Sequence, residues 1–305
     1  MSAHSNNEEA EDEMMNLCAS CGVACGDHVK LKRCDGCYLV RYCGVKCQKE
    51  HRPKHKKECR KRAAELRDEL LFKQPESSCF GDCPICMVPL PLDPSKTAMT
   101  GCCSKTICNG CNYANQKREI EERLRKSCPF CRTPAPKSLL EDDKNRMKRI
   151  EANDPIALRQ VGSQHREEGN DKGAVEYWAK AAELGDVVAH YQISCMYGNG
   201  EGVEKDEKKE MYHLEKAAIG GHPKARRRLG VLELANVRID RAAKHYIIGA
   251  NLGDDYLLER VKNMYRAGFV SKDDFAATLR AHHAAVDAMK SPQREAAETA
   301  VDYVF

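Results

Sequence analysis

Eighteen cysteines in 305 residues constrain this chain more than any other feature of its sequence, and seventeen of them precede residue 132. Most of them occur as C-x-x-C pairs or at spacings of similar length. Two thiolates at such a spacing can bind one tetrahedral Zn²⁺, with Zn–S bonds of about 2.3 Å. Pairs this close in sequence have poor disulfide geometry, so we favour metal sites over disulfides or scattered core cysteines.

One group of eight cysteines lies between residues 83 and 131. It reads CPIC, CC, CNGC and CPFC in order, so three pairs have the C-x-x-C spacing and one pair is adjacent. The eight cysteines are Cys83, Cys86, Cys102, Cys103, Cys108, Cys111, Cys128 and Cys131. Eight thiolates complete two tetrahedral sites, and a site closed by four protein ligands has no open position for water. Zinc bound in this way is structural rather than catalytic.

This pattern resembles a RING finger whose ligands are all cysteines. The usual RING has a histidine among its middle ligands, and here Cys103 takes that place beside Cys102. The resemblance implies cross-brace pairing, in which one zinc is bound by Cys83, Cys86, Cys108 and Cys111. The other zinc is then bound by Cys102, Cys103, Cys128 and Cys131.

The RING resemblance implies a ubiquitin ligase module that docks a ubiquitin-conjugating enzyme loaded with ubiquitin. Its docking surface corresponds to Ile85 in the first C-x-x-C knuckle and Pro129 in the last. Arg132 matches the position that hydrogen-bonds both ubiquitin and the conjugating enzyme, a task that suits a planar guanidinium. The alternative is that Arg132 is a solvated loop charge. We expect no catalytic residue that forms a covalent intermediate, because such a module only holds the thioester near attack geometry.

The segment between Cys111 and Cys128 predicts a helix. Residues 113–126 contain no glycine and no proline, and Ile120 and Leu124 are spaced i, i+4. This spacing predicts one small apolar seam along the helix.

A second set of ligands precedes the first in the chain. Its pairs have C-x-x-C spacing at 18–21 and 34–37, C-x-x-x-C spacing at 43–47 and H-x-x-x-C spacing at 55–59. An i, i+4 spacing puts two ligands on one face of a helix. The run from residue 34 to residue 59 resembles a MYND finger. By that resemblance one zinc is held by Cys18, Cys21, Cys43 and Cys47, and the other is held by Cys34, Cys37, His55 and Cys59.

MYND fingers bind short proline-rich peptides on a shallow apolar groove, and this chain departs from the family there. Arg52 stands where the family usually has a tryptophan, which removes a large apolar contact surface. Two roles stay open for Tyr38, Val40 and Tyr42. They line such a groove, or they cover the zinc sites in a module with almost no core.

Residues 30–67 contain fourteen Lys and Arg against four Asp and Glu. Such a charge attracts phosphate backbones. The stretch lacks interleaved aromatic residues after Tyr42, and much of its charge falls on a helix continuing to about residue 72. We therefore favour a solvated helical linker over nucleic-acid binding.

The second half of the chain is repetitive. Three stretches end alike in small residues and glycine, at residues 181–185, 217–221 and 249–253. Each follows a larger apolar residue in register, which is Trp178, Leu214 or Tyr246. The spacing of 32 to 36 residues predicts helix pairs. One pair cannot bury its apolar face alone, so the copies must stack into a solenoid.

The loop GNGEGV at residues 198–203 and the ending K-A-A-x-x-G resemble Sel-one-like repeats, which are relatives of the tetratricopeptide class. The resemblance covers about residues 154–290 and implies an array that binds protein partners. Trp178 is expected in the core of this array rather than at a ligand.

The predicted fold class is therefore small zinc-stabilised α+β modules followed by an all-α solenoid of helix-pair repeats. We expect an acidic disordered tail (1–17), a MYND-type finger (18–59), a basic helical linker (60–78), a RING-type finger (79–134), a charged linker (135–153), Sel-one-like repeats (154–291) and a tail (292–305). The acidic start lacks the pattern of a signal peptide, and no run is apolar enough to span a bilayer. Clustered cysteines then indicate metal in the cytosol or nucleus.

Two function hypotheses follow, and both include four structural Zn²⁺ and no other cofactor. The leading one is a RING-type ubiquitin ligase or ligase subunit, whose MYND finger and repeats recruit a target protein, with a proline-rich peptide as one candidate. The alternative is a zinc-finger adaptor without activity. The sequence contains no Ser-His-Asp signature and no phosphate-binding loop.

Overall fold

The computed structural model describes residues 17–26 and 28–300. The expected acidic tail lies outside the described residues except for Leu17, as do residues 301–305 at the other end. The chain divides into two compact units, Met1–Lys73 and Gln74–Phe305.

The first unit combines a small antiparallel sheet with one long helix. Strand β1 (Lys32–Arg33) pairs with β2 (Arg41–Tyr42), and helix α1 spans Val45–Leu71. The buried cluster of this unit consists of Cys18, Cys34, Cys37 and Tyr42. Three of these four side chains carry thiols, so the unit has little apolar core of its own. Only His55 and Leu71 of α1 are buried, and its basic residues are largely exposed.

The second unit begins with another small sheet and a helix. Strand β3 (Thr97–Met99) follows a 3₁₀ turn (Pro94–Lys96) and pairs antiparallel with β4 (Thr106–Cys108), with Thr97 opposite Cys108. Helix α2 spans Asn109–Glu121. The buried cluster here contains Cys83, Leu90, Ile107, Cys108 and Cys111.

The predicted apolar seam between Cys111 and Cys128 is wrong. Ile120 and Leu124 are 62% and 47% exposed. The buried face of α2 instead carries Asn115 and Glu119. The Glu119 carboxylate accepts hydrogen bonds from the backbone N–H and the hydroxyl of Ser127, both at 2.9 Å. A polar network therefore holds this helix against the following loop, where the sequence pattern suggested apolar packing.

The rest of the second unit is helical. Its helices are α3 (Leu139–Glu151), α4 (Pro155–Glu167), α5 (Asp171–Glu183), α6 (Val187–Asn199), α7 (Glu207–Ile219), α8 (Pro223–Ala235), α9 (Ile239–Ala250), α10 (Asp255–Arg266), α11 (Lys272–Ala288) and α12 (Pro292–Thr299). Helix α4 packs on α5, α6 on α7, and α8 on α9. The predicted fold class, small metal-binding modules followed by a solenoid of helix pairs, is confirmed.

Small residues let the paired helices approach each other. A Cβ atom on Gly162 of α4 would lie 2.5 Å from Cδ1 of Trp178 on α5, and one on Gly230 would lie 2.1 Å from Cε1 of Tyr246. Trp178 and Tyr246 are both buried, and the Trp178 indole donates to the carbonyl of Arg159 at 3.1 Å. The aromatic residue of one helix thus fills the space that glycine leaves on the other, which fixes the register of the pair.

Side chains before the first helix of each pair cap its free N–H groups. Asp154, Asp186 and Asp254 accept hydrogen bonds in the first turns of α4, α6 and α10. His222 has the equivalent place before α8, where its Nδ1 accepts from the N–H of Ala225 at 3.3 Å. Each cap contributes about 1 kcal/mol to stability.

His222 should make the second unit less stable in mild acid. Burial, together with the nearby charges of Lys224 and Arg159, lowers the pKa of His222 from 6.5 to about 3. Between these two values the unfolded chain binds a proton that the folded chain does not. The free energy of unfolding therefore falls as the pH drops through this window. Between pH 7.5 and 5.5 we expect this residue to account for a loss of about 1.4 kcal/mol.

The variant His222→Asn keeps a capping side chain and removes the titration. Urea unfolding at the two pH values should show a pH-dependent loss smaller than that of the parent by about 1.4 kcal/mol. His283→Asn is the matched control, because His283 is exposed. The prediction fails if His222→Asn and the parent lose the same stability between the two pH values.

Helix α12 lies in the segment expected as a tail, and it packs back against α2.

Within the described residues, no helix is long and apolar enough to cross a membrane.

Candidate metal centres and docking groove

Sixteen side chains of the described residues form four groups, and within each group the ligand atoms all lie within 4.8 Å of one another. Site 1 consists of Cys18, Cys21, Cys43 and Cys47. Site 2 consists of Cys34, Cys37, His55 and Cys59. Site 3 consists of Cys83, Cys86, Cys108 and Cys111. Site 4 consists of Cys102, Cys103, Cys128 and Cys131. The structure brings together the residues that the two resemblances grouped.

The spacing of the sulfur atoms suits zinc. A tetrahedral ion with Zn–S bonds near 2.3 Å places its sulfur ligands about 3.8 Å apart. The Sγ atoms of Cys21 and Cys43 are 3.7 Å apart, those of Cys86 and Cys108 are 3.9 Å apart, and site 4 has separations of 3.4 and 3.8 Å. These distances are far too long for disulfides, and all eighteen cysteines are free. The four clusters are compatible with zinc binding.

The two sites of each module share the chain alternately. Site 3 takes its ligands from residues 83–86 and 108–111, while site 4 takes its ligands from 102–103 and 128–131. Each metal would therefore close a loop that contains part of the other site. Sites 1 and 2 alternate in the same manner. Such closure replaces the apolar core that these modules lack.

Four C-x-x-C knuckles use one turn geometry. The N–H of the residue after each knuckle donates to the carbonyl of its first cysteine at 2.8 or 2.9 Å. These residues are Gly22, Tyr38, Met87 and Arg132, and all four have a positive φ between 57° and 75°. Non-glycine residues rarely adopt this backbone conformation, and it requires support from the surrounding structure. The repeated turn aims both thiols of each knuckle at one point.

Two thiols of site 3 have pKa values shifted in opposite directions by their mutual contact. The hydrogen bond from the Cys108 thiol is the largest cause that lowers the pKa of Cys83 to about 4, and it outweighs burial. The backbone N–H of Cys108 also donates to the Cys83 sulfur at 3.5 Å. The same thiol contact raises the pKa of Cys108. The contact thus favours the thiolate form of Cys83, and thiolates are the form in which cysteines bind zinc.

The three residues implied to dock a conjugating enzyme lie around one groove. A cavity of about 200 Å³, which we call the docking groove, is lined by Ile85, Cys111, Ala114, Asn115, Arg118, Pro129, Arg132 and Gln293. Ile85 is 42% exposed. Arg132 is also exposed, and its Nη1 donates to Oδ1 of Asn115 at 3.0 Å. Arg118 donates to the same oxygen at 3.1 Å.

Sequence reasoning missed Asn115, Arg118 and Gln293. Asn115 follows Cys111 by one helical turn, and Arg118 follows it by two, so their positions on the ligand-bearing face of α2 were a usable signal. Gln293 comes from α12, far along the chain, and no local pattern connects it with the groove.

The residues of the first unit whose role the sequence left open differ in their burial. Tyr42 is buried in the cysteine cluster, and its hydroxyl lies 3.1 Å from Nδ1 of His51. Val40 packs against the same cluster, whereas Tyr38 and Arg52 are exposed. Tyr42 therefore covers the metal sites, and Tyr38 remains available on the surface.

Comparison with known families identifies two parts of the chain. The MYND finger model matches residues 18–59, and the Sel1 repeat model matches residues 155–186 and 187–222. A search of curated proteins gives no match.

Solved structures with Sel1-type folds are also similar. A Sel1 repeat protein from Oxalobacter formigenes is 21% identical, with 59% of this chain and 74% of that chain covered and a TM-score of 0.42. The protein c5321, described as a protective antigen of uropathogenic Escherichia coli with an SLR fold, is 19% identical, with 56% of this chain and 38% of that chain covered and a TM-score of 0.39. From the family matches, the chain contains a MYND finger at residues 18–59 and Sel1 repeats at residues 155–222.

Proposed function

We propose that this protein is a RING-type ubiquitin ligase, or a subunit of one, in which sites 1 to 4 each hold a structural Zn²⁺. The observation that carries this proposal is the docking groove. Ile85 and Pro129 come from knuckles of different sites, and Arg132 follows the second of these knuckles. All three line one cavity on a cross-braced pair of cysteine sites.

The chemistry of this site is positional. Bound zinc would cross-link the loops and supply no chemistry to the transfer. The exposed Ile85 side chain offers an apolar contact to the conjugating enzyme, and Pro129 lines the same groove. The Arg132 guanidinium donates through one nitrogen to Asn115, and a guanidinium has further N–H donors for a second partner. A guanidinium restrained in this way can hold a ubiquitin thioester in an orientation open to attack.

The MYND finger and the Sel1 repeats are protein-interaction modules. In this proposal they recruit the target, and a proline-rich peptide is one ligand for the MYND finger. The exposed Tyr38 supports a remaining contact there, although Arg52 replaces the usual tryptophan. The many free thiols favour a reducing compartment, the cytosol or the nucleus, as the place of action.

The alternative function, a zinc-finger adaptor without ligase activity, is favoured by one observation. Gln293 of α12 forms part of the wall of the docking groove. A neighbouring helix at this position reduces the room for a conjugating enzyme.

Autoubiquitination with a panel of conjugating enzymes tests the proposal. Ile85→Ala and Arg132→Ala should each reduce the rate roughly tenfold or more, because truncation of a central contact removes at least the equivalent binding energy. Ile120→Ala is the matched control, since Ile120 is an exposed apolar residue of the same module that does not line the groove. A zinc-loaded parent that is inactive with every enzyme, and that binds none of them, would support the adaptor.

A further inference from the structure

Arg294 of α12 is a buried charge beside site 3. Its side chain is 7% exposed. Nη1 donates to the carbonyl of Pro89 at 2.7 Å and to that of Met289, and Nη2 donates to the carbonyl of Val88 at 3.1 Å. Nη2 also lies 3.9 Å from Sγ of Cys86. The guanidinium is thus fixed by three carbonyl groups with one nitrogen aimed at a ligand of site 3.

The backbone of α12 reaches site 3 because residue 110 is glycine. A Cβ atom at Gly110 would lie 2.7 Å from the backbone nitrogen of Arg294 and 2.8 Å from the carbonyl carbon of Gln293. These are backbone atoms, so no side-chain rotation could relieve the clash. Near the other end of α12, Glu298 pairs with Lys96 at 2.7 Å. Helix α12 therefore packs closely against the cysteine module, with backbone contact near one end and an ion pair near the other.

The charge of site 3 explains what this arginine can do. Four thiolates around Zn²⁺ carry a net charge of −2, and a partly buried charge of this size requires compensation. The buried guanidinium supplies a positive charge and N–H donors beside these sulfur atoms. The polar groups near site 4 are different, because the hydroxyl groups of Thr100 and Thr133 lie 3.2 and 3.1 Å from its sulfur atoms. Site 4 therefore serves as an internal comparison in the same module.

We propose that Arg294 is a positioning residue for site 3, whose guanidinium offsets the negative charge of the zinc-bound thiolates. Helix α12 delivers this charge from the far end of the repeat array. The inference rests on the proposed occupancy of site 3 by zinc, and it does not depend on ligase activity. Loss of the charge should weaken metal retention at site 3 and make its sulfur atoms more reactive toward electrophiles.

The test uses the full zinc-loaded chain and three variants. Arg294→Met keeps much of the length of the side chain without its charge, and Arg294→Lys keeps the charge without the planar fork. Glu295→Gln is the control on the exposed face of α12. Each protein is treated with N-ethylmaleimide in the presence of a chelator, and the alkylation rate of every cysteine is followed by peptide mass mapping.

We expect the site 3 cysteines to react roughly ten- to a hundredfold faster in Arg294→Met. Mutation of residues that support metal ligands lowers metal affinity by about this factor, and weaker binding exposes the thiolates to the reagent. Sites 1 and 2 should react as in the parent, and Arg294→Lys should lie closer to the parent than Arg294→Met does. If the parent holds four zinc ions and Arg294→Met leaves the site 3 rates unchanged, the inference is overturned and the zinc occupancy stands. An equal rise at sites 3 and 4 without rescue by lysine overturns it as well, because α12 then acts only by packing. A parent without zinc at site 3 overturns both the inference and the zinc occupancy on which it rests.

Discussion

Removal of zinc should unfold residues 18–59 and 79–134 and leave the repeat helices folded. The buried clusters of both modules consist largely of the cysteines themselves, so little apolar packing remains without the metal. Structural zinc contributes on the order of 10 kcal/mol or more to the folding of such modules. The repeats have a separate core around Trp178 and Tyr246. Hydrogen exchange after chelation should show loss of protection in the two cysteine modules and continued protection in α5 to α9.

The number of zinc ions bound per chain tests the same interpretation. The parent should hold four zinc ions per chain by native mass spectrometry, and Cys83→Ser should lose the ion of site 3. Cys25→Ser and Cys195→Ser are controls, because these cysteines lie outside the four groups. A metal-free chain that keeps protected amides in both cysteine modules would contradict the interpretation of all four sites.

Trp178→Ala should produce the largest loss of stability among single substitutions in the repeats. The indole is 1% exposed, fills the space above Gly162 and donates to the Arg159 carbonyl. Truncation of a buried tryptophan typically costs about 3–5 kcal/mol, and here it also removes the hydrogen bond from the indole to the Arg159 carbonyl. Urea unfolding followed by far-ultraviolet circular dichroism measures the change.

The control for this prediction is Tyr212→Ala. Tyr212 lies on α7 of the same array and is 55% exposed, so its removal should change the free energy of unfolding by less than about 1 kcal/mol. Equal effects of the two substitutions would mean that the helix pairs do not depend on the predicted core register.

The pairing of cysteines within each knuckle could be anticipated from sequence because it depends on short spacings. A C-x-x-C knuckle keeps its two thiols together whatever the rest of the chain does, whereas the grouping of knuckles into sites came from the resemblance to the RING and MYND fingers. Spacing is also informative for Trp178, Leu214 and Tyr246, where small residues one helix away mark the position of each large one. Local spacing carries the information on each knuckle and each helix pair, and the family resemblance supplies the contacts between knuckles.

Other features depend on contacts that spacing does not encode. The apolar pair Ile120 and Leu124 suggested a buried seam, but the loop after α2 offers hydrogen-bond donors from Ser127, and Glu119 takes the buried position. Gln293 and Arg294 reach the cysteine module only because nine helices of the second unit, α3 to α11, first bring the chain back to it. No pattern near residue 293 predicts this return.

The return of α12 to α2 closes the repeat array into a loop. The covalent connection through residues 135–138 attaches one end of the helices to the cysteine module, and the contact of Arg294 with Pro89 and Val88 attaches the other end. A solenoid with free ends can extend and bend, whereas the contact between α12 and the cysteine module restricts the curvature of this array. Under tension applied between residues 139 and 288, the helices should therefore extend only after the contact of α12 with the cysteine module breaks.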